Sequence, residues 1–286
     1  MPPASDERPQ WPDGAKCIAA ITVDWDGHSL EVGRDLEPVG IRAAGGYSAR
    51  RGVHRMLDIF GRHEIAATFF VPGYDAEQHA NGVRELIAAG HEVGAHGYTH
   101  ESGVLGREEE QELLERSHAI LSDVTGTPPV GWRSPSGRKT HWTTSVLRRL
   151  GYIYESSDKD YERPYPTVVE GEPSTEMIEF PNNTLGPGLD DAPLWTAGVA
   201  PYEVLDLWKA EFDAIYADEG YFVLTFHPRA GFGTGTPARA HVVDELLTHI
   251  RAHDGVHFTR FDELARWCLE ADHGFLDPPA RIGGRP

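Results

Sequence analysis

Cysteine is nearly missing from this chain. Cys17 and Cys268 are the only two in 286 residues, too few and too far apart for a disulfide framework or a cysteine-built metal site. Buried free thiols are the ordinary outcome for such a pair. Basic charge is also scarce. Lys and Arg total 26 against 45 Asp and Glu, a formal net charge of −19, and such a surface repels nucleic acid and anionic membrane. No apolar run approaches the roughly 18–20 residues that span a bilayer. Residues 1–16 carry neither the basic nor the apolar stretch of a signal peptide. The expectation is a cytoplasmic protein with no nucleic-acid and no membrane partner. The remaining composition, 40% apolar and 25% charged, is ordinary for a globular protein. Residues 1–286 read as a single domain with polar arms at 1–15 and from 272 onward.

Hydrophobic periodicity alternates between strand and helix along the whole chain. The continuous apolar run 17–23 is the mark of a strand buried on both faces. Further strands are expected at 66–71, 91–95, 130–134, 152–156, 176–180, 221–226 and 256–259. Helices are expected at 48–63, 75–90, 107–124, 142–150, 202–216, 241–253 and 261–269. Residues 28–46 and 182–193 read as loops, and 157–175 as irregular. Alternating βα units imply a parallel sheet, and seven or eight of them predict an α/β fold of the (β/α)7–8 barrel kind. An open doubly wound sheet is the runner-up, but no glycine-rich phosphate loop follows the first strand.

The chemistry concentrates after the strands. His91-Glu-Val-Gly-Ala-His96-Gly-Tyr-Thr-His100-Glu101 runs from a short strand into a loop with two histidines four residues apart. A turning segment brings such a pair onto one ion, and imidazole is the commonest side-chain metal ligand. Spacing alone leaves a pair of ordinary structural histidines ahead, since the chain has 15. A second cluster, Asp24-Trp25-Asp26-Gly27, shifts the balance because it too follows a strand. Alone it reads as a turn. Together, one carboxylate and two imidazoles make a facial ligand set that leaves positions open, and the other carboxylate stays free as a base. Arg133 and His227 also follow strands. In a parallel barrel all of these share one face, where active sites are built. Asp190-Asp191 in a Gly/Pro-rich loop either lines the pocket or makes a turn. Arg229 is as readily solvated as bound to an oxyanion.

Asp24-x-Asp26-Gly27, His96-Gly-Tyr-Thr-His100, Arg133-Ser-Pro135-Ser-Gly137 and Leu224-Thr-Phe-His227-Pro228 resemble the ordered motifs of the polysaccharide deacetylases, carbohydrate esterase family 4. The usual first motif has adjacent aspartates, whereas this chain inserts Trp25. That variant, with the MIEF, LDDAPLW and HPRAGFG segments, resembles a branch holding cyclic imide hydrolases, allantoinase-like enzymes and peptidoglycan-deacetylase-like proteins. The resemblance implies a distorted barrel with Asp26, His96 and His100 as metal ligands. It makes Asp24 the general base, Arg133 the group that orients it, and His227 the general acid. Trp25, Tyr98, Pro135 and Asp191, in or beside the motifs, are the expected substrate contacts. One divalent ion is implied, zinc ahead of iron, cobalt, nickel or manganese.

The implied reaction is metal-assisted hydrolysis of a non-peptide C–N bond. An exported wall deacetylase would carry a leader, and a charge of −19 does not favour an anionic wall polymer. A small cyclic amide or imide is therefore preferred as substrate, with an N-acetyl sugar or peptidoglycan as the alternative. A non-catalytic carbohydrate-binding relative would be expected to lose Asp24, Arg133 or His227, and all three are present. The two arms and the branch resemblance suggest a homo-oligomer, a dimer or a tetramer.

Overall fold

A computed structural model describes residues 10–101, 105–182 and 187–276. The first strand, β1 (Cys17–Asp24), is buried along all eight residues. It is flanked by β2 (Thr68–Val71), then β3 (Glu92–Ala95), β4 (Gly131–Trp132) and β5 (Tyr154–Glu155), all parallel. A hairpin follows, β6 (Tyr165–Val169) and β7 (Glu172–Glu179), of which β7 joins β5 in parallel. The last strands, β8 (Tyr221–Phe226) and β9 (Val256–Phe258), both pair with β1. The sheet order is β6-β7-β5-β4-β3-β2-β1-β8. The expected barrel is thus present in curled, distorted form. Among the described residues its two ends, β8 and the β6–β7 hairpin, are not paired with each other. A single parallel bridge, Asp190 to Thr225, lies beside β8 at that seam.

The helices are α1 (Ser29–Val32), α2 (Val53–Arg62), α3 (Gly73–Gln78), α4 (Ala80–Ala88), α5 (Arg107–Thr125) and α6 (Thr143–Arg149), followed by α7 (Asp191–Thr196), α8 (Pro201–Ala217), α9 (Pro237–Arg251) and α10 (Phe261–Cys268). Among the described residues no helix is long and apolar enough to cross a membrane.

Three local expectations are corrected. The helix read at 75–90 is two, broken at His79 (φ −132°, ψ 37°). Both halves keep apolar residues on the core side, so the period of 3.6 runs through the break unseen. The stretch read as irregular holds the β6–β7 hairpin, turning on Glu170 (φ 53°) and Gly171 (φ 90°). Two successive positive φ values are what a two-residue hairpin turn needs. Pro166 and Pro173 obscured it, and β6 tolerates its proline because it is the edge of the sheet. The loops read at 28–46 and 182–193 contain α1 and α7.

Alternation along β1 separates two cores. Cys17, Ala19, Ile21 and Val23 face the surrounding helices. Ile18 and Ala20 face inward, onto an aromatic plug. Phe261, at the start of α10, stacks on Phe180 at 4.6 Å and meets Tyr154 edge-on at 5.6 Å. Trp11 and Phe275, from the two ends of the described chain, seal the floor, their rings 5.4 Å apart. The same inward face of β1 continues upward to Thr22 and Asp24, and there it turns polar.

Candidate active site

Directly above the aromatic plug lies Arg133, buried just after β4. Its guanidinium sits 4.2 Å over the Phe70 ring. Every arm of the fork is held. Nη1 donates to Asp24 Oδ1 at 2.8 Å and to Thr22 Oγ1 at 2.9 Å, and Nη2 donates to Ser156 Oγ at 3.0 Å. Burial alone would push the Asp24 carboxyl up. Arg133, His96 and His227 overcome it and bring Asp24 down to about 2, so it is ionised at neutral pH.

Asp26 is also buried, on the loop past β1. Its backbone is fastened by Ser48, whose hydroxyl donates to the Asp26 carbonyl at 2.9 Å. Asp75 holds the next residues, accepting from the Gly27 amide at 3.0 Å, and Arg229 donates to the Gly27 carbonyl at 2.7 Å. His96 and His100 reach Asp26 from beyond β3. His96 Nε2 lies 3.7 Å from Asp26 Oδ1, and His100 Nε2 lies 3.5 Å from Asp26 Oδ2. The His96–His100 loop turns on Gly97 (φ 67°) and on His100 itself (φ 55°). A side chain at 97 would collide with Glu101, whose carboxylate accepts from the Tyr98 and Thr99 amides at 3.0 and 2.8 Å.

Asp26, His96 and His100 are mutually within reach of one ion, all three buried. The residues fit a cation by an independent sign: Asp26 Oδ1 is buried without a hydrogen-bond donor, a costly state for a carboxylate oxygen unless a positive group faces it. His96 Nδ1 lies 2.9 Å from the Arg133 carbonyl, which can only accept, so the proton sits on Nδ1 and the Nε2 lone pair points at the site. Burial lowers both imidazoles, His100 to about 4, which keeps them neutral and able to ligate.

On the far side of Asp26, His227 closes the set, with Nε2 3.7 Å from Asp26 Oδ2. Its Nδ1 bonds Asp191 Oδ1 at 2.6 Å, while the other Asp191 oxygen accepts from the His227 amide at 3.0 Å and from the Thr234 hydroxyl. Burial disfavours charge on this imidazole, yet Asp191, Asp26 and Asp190 hold its pKa well above the ordinary value. His227 is thus kept protonated, with Nε2 turned to the cavity.

Asp24, Asp26, His96, His100, Arg133 and His227 all line one cavity of about 670 Å³. The four expected substrate contacts do not line it. Trp25 is buried on the other side of its loop, stacked on His79 at 6.4 Å. Its neighbours in the sequence point inward, so strand alternation sends its own ring out. Tyr98 turns to the helices, donating to Glu77 at 2.9 Å beneath the Arg116 guanidinium. Pro135 is buried against the Gly97 turn. Asp191 is fully buried behind His227. The open alternative for Asp190 goes partly to a cap, since it accepts from the Ala192 amide at 2.9 Å, and partly to the cavity wall. Arg229 is buried and paired with Glu31, not solvated.

Sequence reading passed over Arg34, Lys159, Asn182 and Phe232, which do line the cavity. Lys159 Nζ donates to Asn182 Oδ1 at 2.7 Å, and burial lowers its pKa. Both residues follow strands whose expected ends, at 156 and 180, lie within one residue of those observed, so the strand-end rule extended two or three residues further reaches them. The buttress Asp75 left no local pattern.

Comparisons with known proteins agree with this geometry. A family model described as polysaccharide deacetylase matches residues 45–154. A crystal structure from Mycobacterium smegmatis, named as a polysaccharide deacetylase, is 31% identical, superposes with a TM-score of 0.83, and is covered over 98% of each chain. The Helicobacter pylori peptidoglycan deacetylase is 27% identical over 256 residues, 77% of this chain and 84% of the relative. An allantoinase structure shares the fold at 22% identity, with a TM-score of 0.80 and coverage of 94% of this chain and 95% of that one. With the ordered motifs gathered into one cavity and a relative of that identity matching end to end, the chain belongs to the polysaccharide deacetylase family and is a deacetylase-like hydrolase of C–N amide bonds.

Proposed function

We propose that the protein is a metal-dependent hydrolase of a non-peptide C–N bond, acting on a small cyclic amide or imide. One observation carries the reading: a depressed carboxylate, Asp24, and a protonated imidazole, His227, both converge on the Asp26–His96–His100 set in one cavity. Asp26, His96 and His100 would hold a divalent ion there, whose Lewis acidity would favour attack of water on the amide carbonyl.

The residues divide the remaining work. Asp24 takes the proton from the attacking water, and Arg133 fixes the carboxylate that does so. A new C–O bond forms as the carbonyl carbon becomes tetrahedral. The C–N bond breaks as His227 Nε2 passes its proton to nitrogen, which leaves poorly as an anion. Asp191 holds the ring and its Nδ1 proton in place, the part a carboxylate plays behind a catalytic histidine elsewhere. The aromatic plug beneath Arg133 keeps the floor dry, which strengthens each charge interaction above it.

The cyclic substrate is favoured by the cavity. About 670 Å³ suits a small molecule, and Arg34 and Lys159 on its wall suit the polarised oxygens of an imide or the acid formed on ring opening. The second reading, an N-acetyl sugar deacetylase, is favoured by the likeness to the H. pylori relative over most of both chains. An NMR time course on zinc-loaded protein, with a cyclic imide and a chitooligosaccharide in one tube, separates them. Ring-opened half-amide without acetate is expected. Free acetate with intact imide would replace the first reading by the second.

A further inference from the structure

A second group of metal-type ligands lies on the outside of the molecule, between α8 and α9. Asp213 projects from α8. His249 stands near the end of α9, and His253 comes four residues later, just past its last turn. One ligand atom from each lies within 4.8 Å of the others. His249 Nε2 is 2.6 Å and His253 Nε2 is 3.5 Å from the same oxygen, Asp213 Oδ1. The two imidazoles meet at 66° with centroids 4.9 Å apart, so their Nε2 atoms converge instead of stacking past one another.

A backbone contact sets the direction of the second imidazole. His253 Nδ1 lies 3.0 Å from the His249 carbonyl oxygen. A carbonyl only accepts, so Nδ1 carries a ring proton and Nε2 is the ring atom left to ligate, directed at Asp213 Oδ1. The same backbone contact is how metal-binding histidines are commonly fixed in tautomer and direction. Packing holds the rings as well: buried Phe212 lies edge-on to His249 at 5.9 Å and to His253 at 5.0 Å, and Tyr216 meets His253 at 4.8 Å. The side chains of His249 and His253 are 26% and 25% exposed and that of Asp213 51%, so the ligands are ordered on one side and water reaches the other.

We propose that Asp213, His249 and His253 form a second metal site, binding a borderline divalent ion of the zinc class and clamping α8 to α9. Two nitrogens and one carboxylate oxygen, with a fourth position open to water, match the donor preference of zinc and cobalt and not that of magnesium or calcium. The site is separate from the catalytic cavity and does not depend on what that cavity hydrolyses.

Equilibrium dialysis of the full-length protein against micromolar zinc, with metal counted per chain, tests it. Two equivalents are expected for the parent protein, and one for His249→Ala/His253→Ala with hydrolysis retained. Asp26→Ala/His96→Ala is expected to keep one equivalent. Cobalt(II) loaded into that variant should give visible absorption that Asp213→Ala abolishes. A metal count in His249→Ala/His253→Ala equal to that of the parent protein would overturn the proposal, whatever the cavity binds. The second comparison stands even if the cavity variant does not fold.

Discussion

The lower and upper halves of the barrel interior are built from the same strands and do opposite things. Below, Ile18 and Ala20 meet Phe180, Tyr154 and Phe261 in an apolar plug. Two and four residues further along the inward face of β1, Thr22 and Asp24 meet Arg133. The lower half is mainly apolar, and the buried carboxyl it holds, Glu92, accepts from the Tyr154 hydroxyl at 2.7 Å. The upper half has charges whose values are set by how little water the lower half admits. The lesson is that Asp24 and Arg133 owe their pairing to a floor that never touches substrate. A buried pair of this sort gives little net stability, but losing one partner strands the other.

If the halves divide labour in this way, substitutions should separate rate from stability. Asp24→Asn should show the largest effect, lowering kcat by roughly 10²- to 10⁴-fold, the range for a lost general base. Zinc stoichiometry at the cavity should stay near the parent value, while the melting temperature should fall, because the substitution leaves the buried Arg133 without its charged partner. Retained kcat would remove Asp24 from the base role and break the comparison at its upper end. Phe261→Ala should do the reverse. Deleting a fully buried ring costs about 3–5 kcal/mol, readable as a lower urea midpoint, with kcat for the surviving folded fraction much less affected. A fall in kcat as large as that of Asp24→Asn would show that floor and mouth are not separable.

Asp191→Asn sharpens the upper half on its own. Asp191 is the main group holding the His227 pKa up against burial. Removing its charge should lower that value, so the alkaline limb of kcat should move to lower pH. The stability linked to His227 follows the same sign. It is fully present below the unfolded value of about 6.5 and is lost as pH rises through the raised folded value. An unmoved alkaline limb would assign that limb to another group. The smallest effect is expected from Trp25→Phe. Its ring packs on His79 outside the cavity, so KM should change less than about twofold, while the smaller ring costs a modest part of the stability scale for buried aromatics. A large KM change would restore Trp25 as a substrate contact.

Much of this arrangement was legible in order along the chain. Strand one ends at Asp24, strand three at Ala95, and His227 follows strand eight. A parallel barrel sends all such positions to one face, so the meeting of Asp24, Asp26, His96, His100, Arg133 and His227 followed from counting strands. What stayed hidden lies at long range or against local rules. Asp75 reaches the Gly27 amide from 48 residues away, and no periodicity records that. Trp25 sits between two cavity residues in sequence yet faces the other way, because adjacent side chains of an extended segment alternate. The β6–β7 hairpin was masked by prolines that only an edge strand accommodates. Nothing in the sequence links Asp213 to His249 and His253, since their convergence depends on how α8 packs on α9.

The Trp11–Phe275 contact at the floor, 5.4 Å between centroids, has a practical consequence. It draws the two ends of the described chain together on the face opposite the cavity. Such closeness favours circular permutation: the old ends could be spliced and new ones opened at a surface turn such as Glu170-Gly171. For the same reason, anchoring the protein to a bead or electrode beside Trp11 or Phe275 would leave the mouth pointing into solution.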